Sequence, residues 1–125
     1  MTNKLTIEDI LKKKKILENI KSEPYYSEFF EKEIEIEDIK PSKIMEIINN
    51  ADETEPLRAD WELIYTCCPI FRNKELLEEY SINDPIDIIG KIYGNNIIEP
   101  SNLAKHILKR YGFYINDGVN KIKKP

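Results

Sequence analysis

The sequence predicts a mainly α-helical domain that carries one antiparallel β-hairpin near its N-terminus. Apolar residues recur at helical spacing in several segments bounded by residues that begin or end helices, and one short stretch alternates apolar and charged residues with period two. The length of 125 residues suits one hydrophobic core. We therefore expect a single domain over 1–125, with a helix and hairpin at 5–40, a helical body at 41–112 and a tail at 113–125.

The first helix is predicted to begin after Thr6, which is placed as an N-cap with acidic residues in the first turn behind it. Leu5 is positioned to pack onto Ile10 as a hydrophobic staple, and the helix is expected to run to about Lys21. The lysine run 12–15 raises the possibility of nucleic-acid binding, but acids one turn upstream favour a solvated helix face. The apolar residues share the other face: Ile7, Ile10, Leu11, Leu17 and Ile20.

The hairpin is predicted from an aromatic segment at 25–30 followed by the alternating segment 33–37, with a turn near Glu31-Lys32 and strands from about Tyr26 to Glu37. Ile34 and Ile36 are expected to face the core. The alternating glutamates are candidates for metal ligands or acid/base groups. Carboxylates on an exposed strand lack the burial that shifts a pKa, so a solvated strand face is favoured for all three: Glu33, Glu35 and Glu37.

Prolines, glycines and capping residues divide the rest of the chain into further helices. The acidic segment 49–56 is expected to be a mobile loop, and the tail beyond Gly112 to be a weak hairpin or a frayed end. The predicted helices are a short one opening at Pro41-Ser42, a core helix at Leu57–Cys68 stopped by Pro69, one at Lys74–Tyr80, one from Asp84-Pro85 to Gly94, and one near Pro100–Tyr111 stopped at Gly112.

No constellation of residues in the sequence points to catalysis, a cofactor or a metal. The single histidine, His106, stands on the expected polar side of its helix, and a pairing with a cysteine would depend on the fold. The adjacent Cys67 and Cys68 are expected to be reduced and buried. The four glycines form no phosphate-binding loop. For the aromatic residues Trp61, Tyr65 and Phe71, packing in the core is favoured over a ligand-binding role. We therefore expect that the protein is not an enzyme.

The acidic charge balance disfavours partners that are themselves anionic. The net charge is −4 and the pI about 5.2, which supplies no general attraction to nucleic acid or to an anionic membrane. No apolar run approaches the roughly 20 residues of a membrane span, and the first ten residues lack a secretory signal. We expect a cytoplasmic, protein-binding domain that is monomeric or weakly self-associating.

The succession of short motifs resembles the phage tail assembly chaperones of the XkdN-like family, which occur in contractile-tailed phages, prophages and phage-tail-like bacteriocins. The resemblance covers almost the whole chain and depends on order and spacing. The motifs are Thr6–Lys14, Glu33-Ile34-Glu35-Ile36, Lys40-Pro41-Ser42, Ile64-Tyr65 with Pro69 beyond them, Leu76–Tyr80, Asp84–Ile89 and Tyr111-Gly112-Phe113.

The resemblance implies a non-catalytic protein that binds the tape measure protein in the bacterial cytoplasm, before the tail tube polymerises, and that is absent from the finished particle. It also implies, as a further possible partner, a longer form of the chain made by ribosomal slippage. A structural tail or connector protein retained in the particle is the main alternative, and a small DNA-binding regulator is a weaker one. The residues expected to contact a partner are in the tail and on the acidic strand: Phe113, Tyr114, Ile115, Glu33 and Glu35.

Overall fold

The computed structural model describes residues 3–18, 23–116 and 121–123, and it confirms a mainly α-helical domain with an N-terminal antiparallel hairpin. The described helices are α1 (Ile7–Glu18), α2 (Pro41–Asn49), α3 (Arg58–Cys67), α4 (Lys74–Glu79), α5 (Ile88–Ile92) and α6 (Ile98–Arg110), with short 3₁₀ turns at Pro69–Arg72 and Pro85–Asp87. The strands are β1 (Glu23–Ser27), β2 (Lys32–Ile36), β3 (Tyr114–Asn116) and β4 (Lys121–Lys123), and they pair as β1–β2 and β3–β4.

The α1 helix begins as predicted. The Asp9 amide donates to Thr6 Oγ1 at 3.2 Å and the Thr6 amide donates to Asp9 Oδ2 at 3.1 Å, which is a reciprocal capping box. The predicted last turn, beyond Glu18, lies outside the described residues. The apolar face of α1 is not part of the core, because every residue of the helix is exposed.

The first hairpin starts earlier in the chain than predicted, and its turn occupies 28–31, which includes Glu31 of the predicted turn but leaves Lys32 as the first residue of β2. Glu31 closes the turn with a φ of +55°. The reason for the difference lies in the aromatic pair Phe29 and Phe30, whose ring centroids each lie 5.2 Å from that of Tyr93. Packing of these rings on the body draws both residues out of the strand and into the turn.

The α3 helix lies at the centre of the body, where it contacts α2, α5, α6 and both 3₁₀ turns. Its buried face is formed by Leu63, Ile64 and Cys67. The main chain continues after Pro69 as a 3₁₀ turn. The core comprises Ile34, Ile36, Ile44, Ile47, Leu63, Ile64, Cys67, Cys68, Phe71, Ile88, Ile89, Tyr93, Leu103, Ala104, Ile107, Leu108 and Phe113.

The α6 helix begins two residues before Pro100 and ends at the glycine that the sequence indicates. The Asn96 side chain accepts a hydrogen bond from the Glu99 amide at 3.0 Å, and Pro100 is tolerated because amides of the first turn have no partner within the helix. At the other end Gly112 has a φ of +86°, and the Phe113 amide donates to the Leu108 carbonyl at 3.0 Å in a Schellman motif.

Candidate functional site

An apolar groove runs beside β2, between that strand and the helices α4 and α5. Its volume is about 520 Å³, within the range of roughly 300–1,000 Å³ that is usual for binding pockets. We call it the β2 groove. It is lined by Phe30, Lys32, Glu33, Ile34, Glu35, Ile70, Phe71, Leu76, Tyr80 and Ile92.

The local structure of β2 and of the turn at Pro69–Arg72 determines which side chains the groove presents. Alternation along β2 buries Ile34 and leaves Glu33 and Glu35 exposed at the rim. In the turn, Phe71 is buried while its neighbour Ile70 is 55% exposed. The groove therefore has an apolar floor, an apolar shoulder and an acidic rim.

The two sides of the groove are joined by a bridge of hydrogen bonds. The Glu37 amide, just beyond β2, donates to the Cys67 carbonyl at the end of α3, at 2.7 Å. Arg72 donates to Glu37 Oε1 at 2.8 Å and also to the carbonyls of Tyr65 and Thr66. Arg72 thus satisfies carbonyls that have no partner within α3 and fixes the turn against the strand. These hydrogen bonds fix the position of β2 relative to the 3₁₀ turn on the other side of the groove.

The exposed face of α1 is a second apolar surface. The exposed fractions are 49% for Ile10, 52% for Leu11 and 58% for Leu17. A shallow space of about 490 Å³ runs along the helix, and among the described residues Asp38 is the one that lines it from outside α1 and its approach. No residue of the described body covers this face.

The residues expected to contact a partner have different positions. Glu33 and Glu35 lie together on the rim of the β2 groove. Phe113 is 9% exposed and packs in the core, because the Schellman motif turns it back against α6, so its ring is not presented to a partner. The backbone of Tyr114 and Ile115 forms β3, while their side chains lie outside the described residues.

The groups with nucleophilic or acid/base potential are buried or engaged in packing. Burial raises the pKa of the Cys67 thiol to about 11 and that of Cys68 to about 12, so both are protonated at neutral pH. His106 is half-buried rather than on a polar face, with its ring centroid 5.0 Å from that of Tyr25. Within the described ranges no group of three or more His, Cys, Asp or Glu residues could hold a metal ion.

Among the described carboxyl groups of the body, Asp60 has a raised pKa. Asp60 lies on α3, and burial raises its pKa to about 6, although Lys105 on α6 acts in the opposite direction. Asp60 is outside the β2 groove, so its effect is on stability rather than on binding.

Two features of this region were not predicted from the sequence. The aromatic cluster on the floor of the groove joins Phe71 to Phe30 and Tyr93, and the ring contacts of the described residues do not include Trp61 or Tyr65. The phenylalanine pair directly after β1 was the only sequence signal for it. The second feature is Ile70, an isoleucine left exposed beside a proline turn.

None of the described helices combines the length and the apolar character that crossing a membrane requires. The chain matches no protein-family model, no curated protein and no solved structure.

Proposed function

We propose that this chain is a non-catalytic assembly chaperone that binds amphipathic helices of the tape measure protein in the β2 groove before the tail tube polymerises. The observation that supports this function is an apolar groove that is open to solvent and has two glutamates on its rim. The tape measure protein is proposed as the client because the sequence resembles tail assembly chaperones.

The chemistry of the groove suits a helix better than a small molecule. A helix that binds in a groove inserts apolar residues at spacings of three and four and leaves its polar flank at the rim. The floor and shoulder residues Phe71, Ile70 and Leu76 provide the apolar contact, and Glu33 and Glu35 match a basic flank. A long helical client has apolar stripes that aggregate when they are uncovered, and transient burial in such grooves prevents this.

Ile70 allows a direct test, because it is exposed in the groove and its replacement leaves the core intact. The chain is co-expressed with the tape measure protein of the same tail, and complex formation is measured by co-purification. We expect Ile70→Lys to weaken binding by about tenfold or more, since it places a charge on an apolar contact. The matched control is Ile97→Lys, because Ile97 is 54% exposed outside the groove against 55% for Ile70.

If both variants lose binding equally, or if neither loses it, the client does not bind in the β2 groove. Mass spectrometry of purified particles tests the chaperone role separately. We expect the chain to be absent from finished particles, because the polymerised tube takes over the client surface. A stoichiometric amount in the particle would instead identify a structural tail protein.

A further inference from the structure

We propose that the β2 groove binds the α1 helix of a second copy of this chain, so that the protein self-associates through its own N-terminal helix. The inference rests on the proposed function for its biological consequence, because the second copy would occupy the groove that we assign to the client. Its physical basis is independent of the client and consists of two complementary surfaces on one chain.

The first of these surfaces is the apolar face of α1. Ile7, Ile10 and Leu11 recur at the spacing of one helix face, and each is between 49% and 71% exposed. The hydrogen bonds that cap the helix and its ion pair between Lys14 and Glu18 are all internal to α1 and its approach. An amphipathic helix with no covered residue has a face that is available to another molecule.

The second surface is the β2 groove, which carries exposed apolar residues. Ile70 is 55% exposed and Tyr80 is 41% exposed, next to the buried floor formed by Phe71. A twelve-residue helix is about 18 Å long, which presents three successive turns to a groove. Apolar residues at spacings of three and four are the anchors that helix-binding grooves accept.

Charge identifies the occupant as α1. The segment 3–18 contains five lysines against three acidic residues, although the whole chain has a net charge of −4. Successive residues of a helix point about 100° apart, so the lysines 12–15 surround α1, and Lys13 and Lys15 lie on the two flanks of the face that carries Ile7, Ile10 and Leu11. The charged residues that line the groove are Glu33, Glu35 and Lys32, so the net charge of its rim is negative and opposite in sign to that of the segment 3–18. This complementarity favours α1 of a second copy over an acidic or neutral helix.

Exchange of α1 between two copies closes the assembly. If each copy places α1 in the groove of the other, both grooves are filled and the contacts repeat by two-fold symmetry, which is the commonest closed arrangement of identical chains. Since a client helix would compete for the same groove, self-association would keep the apolar floor covered until a client is present. The client would then dissociate the pair.

Sedimentation velocity of the full chain over a range of concentrations tests the inference without any client. We expect a reversible monomer–dimer equilibrium that weakens as salt increases, because the lysines and glutamates are screened. Leu11→Gln on the apolar face should raise the dissociation constant by about tenfold. Its matched control is Ile16→Gln, because Ile16 lies on the opposite side of α1 and is 53% exposed against 52% for Leu11.

A mixing experiment identifies which two surfaces meet. The Ile70→Lys chain has an intact α1 and an altered groove, whereas the Leu11→Gln chain has the reverse. Each should dimerise about tenfold more weakly than the unaltered chain, and the mixture should dimerise more tightly than either variant alone, because the heterodimer retains one fully intact pair of surfaces. Glutamine is a good helix former, so Leu11→Gln should leave the helicity of α1 intact, which circular dichroism checks.

A monomer at all concentrations would overturn the inference, and so would a dimer that Leu11→Gln and Ile70→Lys leave unchanged. A monomer in which both variants change the same NMR signals would show that α1 occupies the groove of its own chain, which also contradicts the proposal. Client binding that is lost in Ile70→Lys and retained in Leu11→Gln separates the two proposals. In that case the groove functions for the client even if self-association fails.

Discussion

The helices α1 and α6 differ in their surroundings far more than in their sequences. They contain 12 and 13 residues, in each a preceding side-chain oxygen accepts a hydrogen bond from an amide of the first turn, and each has an apolar face at helical spacing. Five residues of α6 are buried, and none of α1 is. Periodicity thus reveals that a helix has a face to bury, but not whether the partner belongs to the same chain.

The long-range contacts of the two helices follow the same division. Tyr111, directly after α6, accepts a hydrogen bond from the Ile39 amide at 2.8 Å and donates to the Ile39 carbonyl at 2.9 Å. Arg110 bonds to Asp38 at 2.9 Å. These bonds tie the end of α6 to the segment between β2 and α2. The α1 helix is stabilised by contacts within itself, so we expect it to unfold independently of the body.

The largest difference between the two helices is expected from leucine truncation. Leu103 on α6 is fully buried, so Leu103→Ala should lower the free energy of unfolding by about 2–5 kcal/mol through lost burial and a cavity. Leu11→Ala on α1 removes the same atoms from an exposed site and should change it by less than about 0.5 kcal/mol. Urea denaturation of dilute protein measures both, and equal losses would show that α1 belongs to the core.

The next largest effect concerns close packing in the body. A Cβ atom at Gly90 on α5 would lie 2.7 Å from two carbons of the Trp61 indole, a distance that forces the ring to move. Gly90→Ala should therefore destabilise the body by about 1–3 kcal/mol, although alanine is the better helix former. On α1 the substitution Lys12→Ala should be nearly neutral. The double variant Gly90→Ala with Trp61→Phe, in which the ring is smaller, should recover part of the loss.

These contrasts show which parts of the fold are predictable from sequence. Capping and termination depend on neighbours along the chain, so the start of α1 at Thr6 and the end of α6 at Gly112 were predicted. The position of the first turn was not, because it depends on Phe29 and Phe30 meeting Tyr93, more than 60 residues further along the sequence. Packing between residues distant in the sequence therefore determined where the turn lies, although the local sequence pattern indicated another position.

The candidate site illustrates the same limit. Exposure of Glu33 and Glu35 was predicted, because alternation along β2 is a local property. The groove beside them required β2, the 3₁₀ turn and α4 to meet, and no local pattern specifies that meeting. Phe113 was expected to contact a partner, yet its position after a Schellman glycine was itself a signal for a hydrophobic contact with its own helix.

A smaller effect is expected from the half-buried carboxyl group of Asp60 on α3, and it depends on pH. Burial raises the pKa of Asp60 from 3.8 to about 6, so the folded protein favours the protonated form. The contribution of this group to stability is therefore fully present below about pH 4 and is lost as the pH rises through about 6. Asp60→Asn should be more stable than the wild type at pH 7.5 by on the order of 1–2 kcal/mol.

The difference between Asp60→Asn and the wild type should disappear toward pH 4. Thermal unfolding of both proteins across this range provides the measurement. A difference in stability that is the same at every pH would show that the effect comes from packing of the amide rather than from ionisation. If the wild type instead gains stability relative to the variant between pH 4 and pH 7.5, the pKa of Asp60 is lowered by folding rather than raised.

The smallest effect on global stability, and the most direct test of the contrast between α1 and α6, is expected from their N-terminal caps. Thr6→Ala removes the acceptor of the Asp9 amide, and loss of such a cap costs a helix about 1 kcal/mol. Because α1 makes no buried contact with the body, this cost should be confined to α1 and leave the midpoint of urea unfolding unchanged. Asn96→Ala removes the equivalent acceptor of the Glu99 amide on α6, where the same cost should lower the stability of the whole domain. Hydrogen exchange distinguishes the two variants. Thr6→Ala should accelerate amide exchange only in α1, while Asn96→Ala should accelerate it throughout the core. A lower free energy of unfolding of the whole domain in Thr6→Ala would mean that α1 is packed against the body.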